Sequence, residues 1–191
     1  MSKVTTISAK STPACVAIDE AKLALRIDGN DLDTEISAAL DAAIESVELE
    51  THRALRVSYT VAEIYDGWPC NPVRFDWQPV KSIVSITYYD SADASQTVTA
   101  SNYRLLACTD GAAVLEFDDD YSLPTTATRR DAVTINYLAG YADTASVPGL
   151  AKQAVTLKVR ELFGDLMDRE AKSNTRSLKA ITSQLSWGAY R

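Results

Sequence analysis

Glycine and histidine are scarce in this chain, and each scarcity removes chemistry. Seven glycines in 191 residues leave few places where bare backbone could cradle a phosphate, and no GxGxxG or Walker-type loop occurs. The single histidine, His52, has no second His or Cys near it. Neither an HExxH zinc site nor a Ser-His-Asp arrangement can be proposed without that one ring, and there is no GxSxG elbow. A cap at a helix end suffices for His52, because a helix C-terminus favours the protonated imidazole. The three cysteines, Cys15, Cys70 and Cys108, are odd in number and far apart. They suit neither a disulfide framework nor a zinc site and read as reduced structural residues. No apolar run approaches the ~20 residues of a bilayer span, and Met1–Lys10 lacks the apolar core of a signal peptide. Synthesis in the cytoplasm, with no membrane partner, is the expectation. Basic charge is also short. The formal net charge is −7, whereas a protein that grips DNA through its phosphates should be basic, which argues against sequence-specific DNA binding.

What is present points to an ordinary folded chain. Hydrophobic residues make up 46% and charged residues 24%, a globular rather than a disordered balance. The charge is uneven. Residues 151–191 hold eight Lys/Arg and four acids, hence +4, so residues 1–150 carry −11. From Ala171 to Arg191 there are four basic residues and no acid. A basic tail on an acidic body suits contact with an acidic partner surface.

Along the chain, residues 1–15 are rich in Ser, Thr and Lys and read as a flexible arm. Asp19 and Glu20 open a short amphipathic helix with Ile18, Ala21 and Leu25 on its apolar side, ended by Asp28-Gly29-Asn30. A second helix follows, capped by Asp31 or Asp33. Leu32, Ile36, Ala39, Leu40, Ala43, Ile44 and Val47 recur in steps of three and four down to His52, marking one buried stripe. At Val57 the period changes to two. Short strands are expected around Val57–Ile64, Val73–Trp77, Val80–Tyr89, Gln96–Thr99, Tyr103–Ala107, Ala112–Phe117 and Ala132–Leu138, separated by Gly, Pro and Asp turns. Helical periodicity returns at Val147-Pro148-Gly149, with proline pre-set for a helix start, and runs to about Glu170. The expected fold class is α+β: a helical bundle from the N-terminal helices (16–55) and a C-terminal helix (146–172). A small antiparallel β-sandwich or barrel (56–145) is inserted between them, and a tail (173–191) follows.

Two clusters remain for function. Asp118, Asp119 and Asp120 are the one acid run. It lacks the spacing of a calcium loop, so a solvated loop or a subunit contact is expected rather than a metal site. Arg129 and Arg130 are the basic residues that could pair with it, within a chain or between chains. The tyrosines, Tyr88-Tyr89 and Tyr103 among them, lack the interleaved Lys/Arg of a base-stacking platform and fit sheet packing or an interface. No catalytic residue, metal or cofactor emerges.

Three stretches carry a resemblance: Ile18–Asp28 with the helix Asp31–Arg53; Val80–Asp90 with Ala100–Leu105; and Ala132–Tyr141 leading into Val147-Pro148 and the last helix. Together, over about residues 16–170, this order resembles the phage head–tail connector family, also called adaptor or head-completion proteins. The resemblance implies a structural role and no enzyme activity: a homo-oligomeric ring, typically of twelve copies, at the neck of a virion. The ring would dock on the portal protein, meet a tail-side stopper or tail-completion protein, and let packaged DNA pass without reading its sequence. Lys172, Arg176, Lys179, Trp187, Tyr190 and Arg191 then become candidates for the portal contact, and Asp118, Asp119, Asp120, Arg129 and Arg130 for the contact between subunits. A tail-completion or baseplate module is the alternative.

Overall fold

In the computed structural model the described residues are 2–10, 14–108, 112–164 and 171–186, with side chains left aside at 164 and 171–176. They fall into two units. One comprises the described residues of Met1–Ser11 and Ser58–Gly140, the other those of Thr12–Val57 and Tyr141–Arg191.

The first unit is built from strands, because alternation of buried and exposed residues dominates its sequence. These are β1 (Lys3–Lys10), β2 (Tyr59–Tyr65), β3 (Val73–Arg74), β4 (Val80–Tyr89), β5 (Ser95–Thr97), β6 (Tyr103–Ala107), β7 (Ala113–Phe117) and β8 (Val133–Ala139). One antiparallel sheet has the order β1-β2-β8-β4-β5 and the other β3-β7-β6. Both are open: β1 and β5 lie at opposite ends of their sheet and do not pair, so the barrel half of the expectation is corrected. Closure would require those two edges to meet, and β5 has only three residues with which to do so. The arm expected at the N-terminus is also corrected, since Lys3–Lys10 pairs with β2 from Lys3↔Tyr65 to Lys10↔Tyr59, with a bulge between Ile7 and Ala9.

Register sets which face is core. Tyr59, Val61 and Tyr65 of β2 stand beside Val133, Ile135, Tyr137 and Ala139 of β8, all buried. Aromatic rings tie the sheets together. Phe75 lies 4.6 Å from Tyr137, and Trp68 contacts both Tyr88 of β4 at 5.2 Å and Phe117 of β7 at 5.7 Å. Gln78 closes a two-way bond with Ala113, accepting from its N–H and donating to its carbonyl.

The second unit is helical: α1 (Ile18–Leu25), α2 (Asp33–Thr51), α3 (Gly149–Gly164) and α4 (Ala171–Leu185). Its core is aliphatic and finely grained. Leu40, Ala43, Ile44 and Val47 of α2 pack with Ala151, Ala154, Val155 and Val159 of α3, and with Leu178 and Leu185 of α4. Alanine at these positions lets helices approach closely, and each buried Leu or Ile contributes about 1.5–3 kcal/mol. Both N-terminal helices stop earlier or start differently than expected. Arg26 takes the left-handed conformation (φ 58°) that ends α1, with its N–H donating to Leu23 O and the Ile27 N–H to Lys22 O; Gly29 is left-handed too but lies beyond the helix. The N-cap of α2 is Leu32, not an aspartate. Asp33 is instead drawn to Lys22 Nζ, 2.5 Å away. The tail expected from Ser173 is helical as far as Leu185, because Leu178, Thr182 and Leu185 recur at helical spacing and are buried.

Candidate functional site

Charges inside and outside the β-unit divide into those that hold the fold and those that remain on its surface. Glu63 is the deepest. It occupies a buried phase of β2 and is 0% exposed. Its carboxylate accepts from Tyr65 Oη (2.5 Å), Tyr137 Oη (2.8 Å) and the Asp76 N–H (2.7 Å), and meets Lys3 Nζ at 2.8 Å. Lys3 also reaches Asp76 Oδ1 at 2.9 Å, and Thr5 Oγ1 donates to Asp76 Oδ2. Burial, and then the Glu63 charge, push both tyrosine hydroxyls far above their ordinary range, so they act as fixed donors. Every oxygen of the acid has a partner, as a buried charge requires. The alternation Tyr59, Val61, Glu63, Tyr65 already put Glu63 on the core side. Its consequence, a polar latch for β1, needed the register of Lys3 to be seen.

Arg129 is likewise committed within the chain. Its guanidinium pairs with Asp131 through Nε and Nη2, with Asp93 through Nη1 at 2.8 Å, and lies 3.7 Å over the ring of Tyr89. Hydrogen bonds from Arg129 hold Asp131 below the usual carboxylate range, and bonds from Gln96, Ala94 and Ala92 do the same for Asp90. Within the chain, Arg129 thus pairs with Asp93 and Asp131 rather than with Asp118–Asp120. Arg130 is exposed. Asp118 follows β7, its N–H donating to Asn102 O and its carbonyl accepting from the Tyr121 N–H. Asp119 and Asp120 are exposed. Among the described residues no group of three His, Cys, Asp or Glu could hold a metal ion, and no helix is long and apolar enough to cross a membrane.

In the helical unit His52 is exposed and ends α2 in the left-handed conformation. Cys15 is buried, and desolvation followed by the nearby Glu48 carboxylate push its thiol up to about 11. Lys179 is exposed on α4. Lys172 and Arg176 belong to the same helix, at intervals of four and three from one another and from Lys179. Trp187, Tyr190 and Arg191 lie outside the described residues.

The feature that sequence reasoning missed is the outer face of the five-stranded sheet. Register places Val4, Ile64, Thr134 and Thr87 in one cross-sheet row, and Thr6, Ala62, Asn136 and Ser85 in the next. Thr60 and Leu138 pair in a third. None of these positions is charged. Lys81 and Val84 sit at the two irregularities of β4. The sheet's edges are guarded: β1 ends in Lys3 and Lys10 and carries a bulge, and β5 is three residues long, features that discourage strand addition.

No family model matches the chain, and no curated protein does. Solved structures do. A chain of the virion of a native gene transfer agent particle is similar at 22% identity, with a TM-score of 0.72 over 93% of this chain and 94% of that one. A chain of the neck of an empty particle of the same kind, computed with C6 symmetry, aligns at 21% identity and TM-score 0.71 over 97% and 95%. One from the neck of the native particle, computed with C12 symmetry, aligns at 21% and 0.66 over 95% and 94%. At this identity the likeness is one of fold, and it extends over both units.

Proposed function

We propose that this chain is a structural subunit of a virion neck, a head-to-tail connector that closes into a homo-oligomeric ring and is not an enzyme. The observation that carries the reading is the fold likeness over 93–97% of the chain to proteins of phage-like particles, two of them from necks computed with C6 and C12 symmetry. Partial likeness would permit a shared module on an unrelated protein; likeness across both units does not favour that. Twelve copies is the copy number the reading adopts. In it, the helical unit builds the ring wall as a bundle, one end of the ring docks on the portal protein, the other meets a tail-side stopper, and packaged DNA passes through the centre.

Charge supports the conduit. A subunit with net charge −7, repeated around a ring, repels phosphate and keeps DNA from sticking. The basic residues of α4, Lys172, Arg176 and Lys179, are the portal contact in this reading, together with Trp187, Tyr190 and Arg191. Removing everything from Ser173 would strip Leu178 and Leu185 from the core, so the contact is best probed by Lys179→Glu and by removal of residues 187–191.

Negative-stain electron microscopy and native mass spectrometry of the purified protein, alone and with portal, test the proposal. Rings near twelve copies that join portal are expected. A chain that stays monomeric with portal present, or that is recovered with tail or baseplate proteins instead, would overturn it.

A further inference from the structure

The end of α4 is held from a distance. A helix leaves its last carbonyls without intrahelical partners, and residues close in sequence commonly finish them. Here the Leu185 carbonyl accepts from Arg53 Nε at 2.8 Å, across 132 residues. Arg53 Nη1 donates to Tyr141 Oη at 3.1 Å. One guanidinium thus joins the end of α2, the start of the segment leading into α3, and the last turn of α4. A cation also suits the negative end of a helix dipole.

The arginine is itself fixed at its base. His52 ends α2 in the left-handed conformation (φ 52°). Thr51 before it is buried, and its hydroxyl donates to the Val47 carbonyl. Ala54 and Leu55 are 0% exposed, and the Leu55 N–H donates to the buried Glu48 carboxylate at 3.0 Å. With its backbone pinned on both sides and its guanidinium oriented by Tyr141, Arg53 gives Leu185 a position as well as a partner. Among the described side chains of α4, only Leu178, Thr182 and Leu185 are buried. Apolar contact is non-directional, so a directed bond fixes the final turn better than those contacts can. The Ser186 N–H still donates to the Thr182 carbonyl, and residues 187–191 follow directly in sequence.

We propose that Arg53 is a positioning residue for the portal contact: by tying Leu185 to the end of α2, it sets where α4 presents Lys179 and the point from which residues 187–191 continue. The inference rests on the portal contact of the proposed function.

The test is a double-mutant cycle on the protein with purified portal, read as binding affinity, with native mass spectrometry and hydrogen exchange in parallel. Arg53→Met keeps the aliphatic stem and removes both donations. It should weaken portal binding by about tenfold while rings still form. In backgrounds already weakened by Lys179→Glu or by removal of residues 187–191, the same substitution should cost less than about threefold. Arg53→Lys, with a point donor in place of a fork, should fall between Arg53→Met and the parent. Parent-level portal binding by Arg53→Met, with exchange protection lost only at the end of α4, overturns the inference and leaves Arg53 a helix cap. The full loss repeated in both backgrounds also overturns it, since the effect then bypasses the contact. Should Arg53→Met not fold, Tyr141→Phe decides, removing only the hydroxyl that orients the guanidinium: binding about threefold weaker supports the inference, and unchanged binding sinks it. If Lys179→Glu and removal of residues 187–191 both leave portal binding intact, the portal contact itself fails, and this inference with it.

Discussion

The two units reach stability by different routes. In the β-unit the Glu63 carboxylate is satisfied by a lysine, two tyrosines and a backbone amide, and Phe75 packs against one of the tyrosines. In the helical unit the core is mainly alanine, valine, leucine and isoleucine, with one buried thiol and one buried carboxylate, Glu48, which accepts from the Leu55 N–H. A polar network tolerates one arrangement, because any misplaced partner leaves a desolvated charge. An aliphatic core tolerates volume-conserving change and resists mainly cavities. The β-unit therefore has the narrower tolerance, although the helical unit is the more apolar at its centre.

The contrast is sharpest at Glu63. Glu63→Ala should cost about 4 kcal/mol in denaturant unfolding, since it leaves two tyrosine hydroxyls and an amide without their acceptor and takes from Lys3 one of its two carboxylates. Hydrogen exchange should show the loss concentrated in β1, β2 and β8. The comparison breaks if α2 and α3 lose protection equally. A cavity is the matching insult to the helical unit: Leu55→Ala, at a position 0% exposed, should cost about 3 kcal/mol. A larger penalty than that of Glu63→Ala would reverse the ranking. Next comes Lys3→Ala, expected at about 2 kcal/mol, because it removes the counter-charge but leaves the three donors on Glu63. Its diagnostic sign is selective loss of amide protection along β1.

The smallest effect is a pH effect. Burial raises the Cys15 thiol to about 11, above its unfolded value, so its contribution is intact below the ordinary thiol range and is lost as pH climbs from there toward 11. At neutral pH a thiol reagent should modify the exposed Cys70 promptly and spare Cys15 until the protein is unfolded. Equal labelling of both in the native state would show that the helical core is not closed.

Much of the architecture was legible in residue patterns. The switch of period after Val57 announced β2, the alternation of Val80–Tyr89 announced β4, and Val147-Pro148-Gly149 announced α3. Misreadings came where local signals compete. Ser, Thr and Lys in residues 3–10 suit an arm as well as an edge strand, and only the partner strand decides. Asp31 and Asp33 are good caps in isolation, yet Lys22 claimed Asp33. Leu178, Ile181 and Leu185 have helical spacing, but a polar setting masked it. The acids and arginines chosen as interface candidates were visible as clusters, while their partners were not, because Arg129 reaches Asp93 across 36 residues.

By itself the sequence determined the class of elements, the missing catalytic and metal motifs, the acidic balance of the body and the order of helices and strands, because these follow from composition and from periods of two and 3.6. Tertiary structure alone decided that residues 3–10 form the edge strand of a sheet, that Glu63 is a latch rather than a misplaced surface acid, and that residues from four strands line up in two uncharged rows. Such properties belong to the register between strands distant in the chain, and no local pattern encodes which residues become neighbours there.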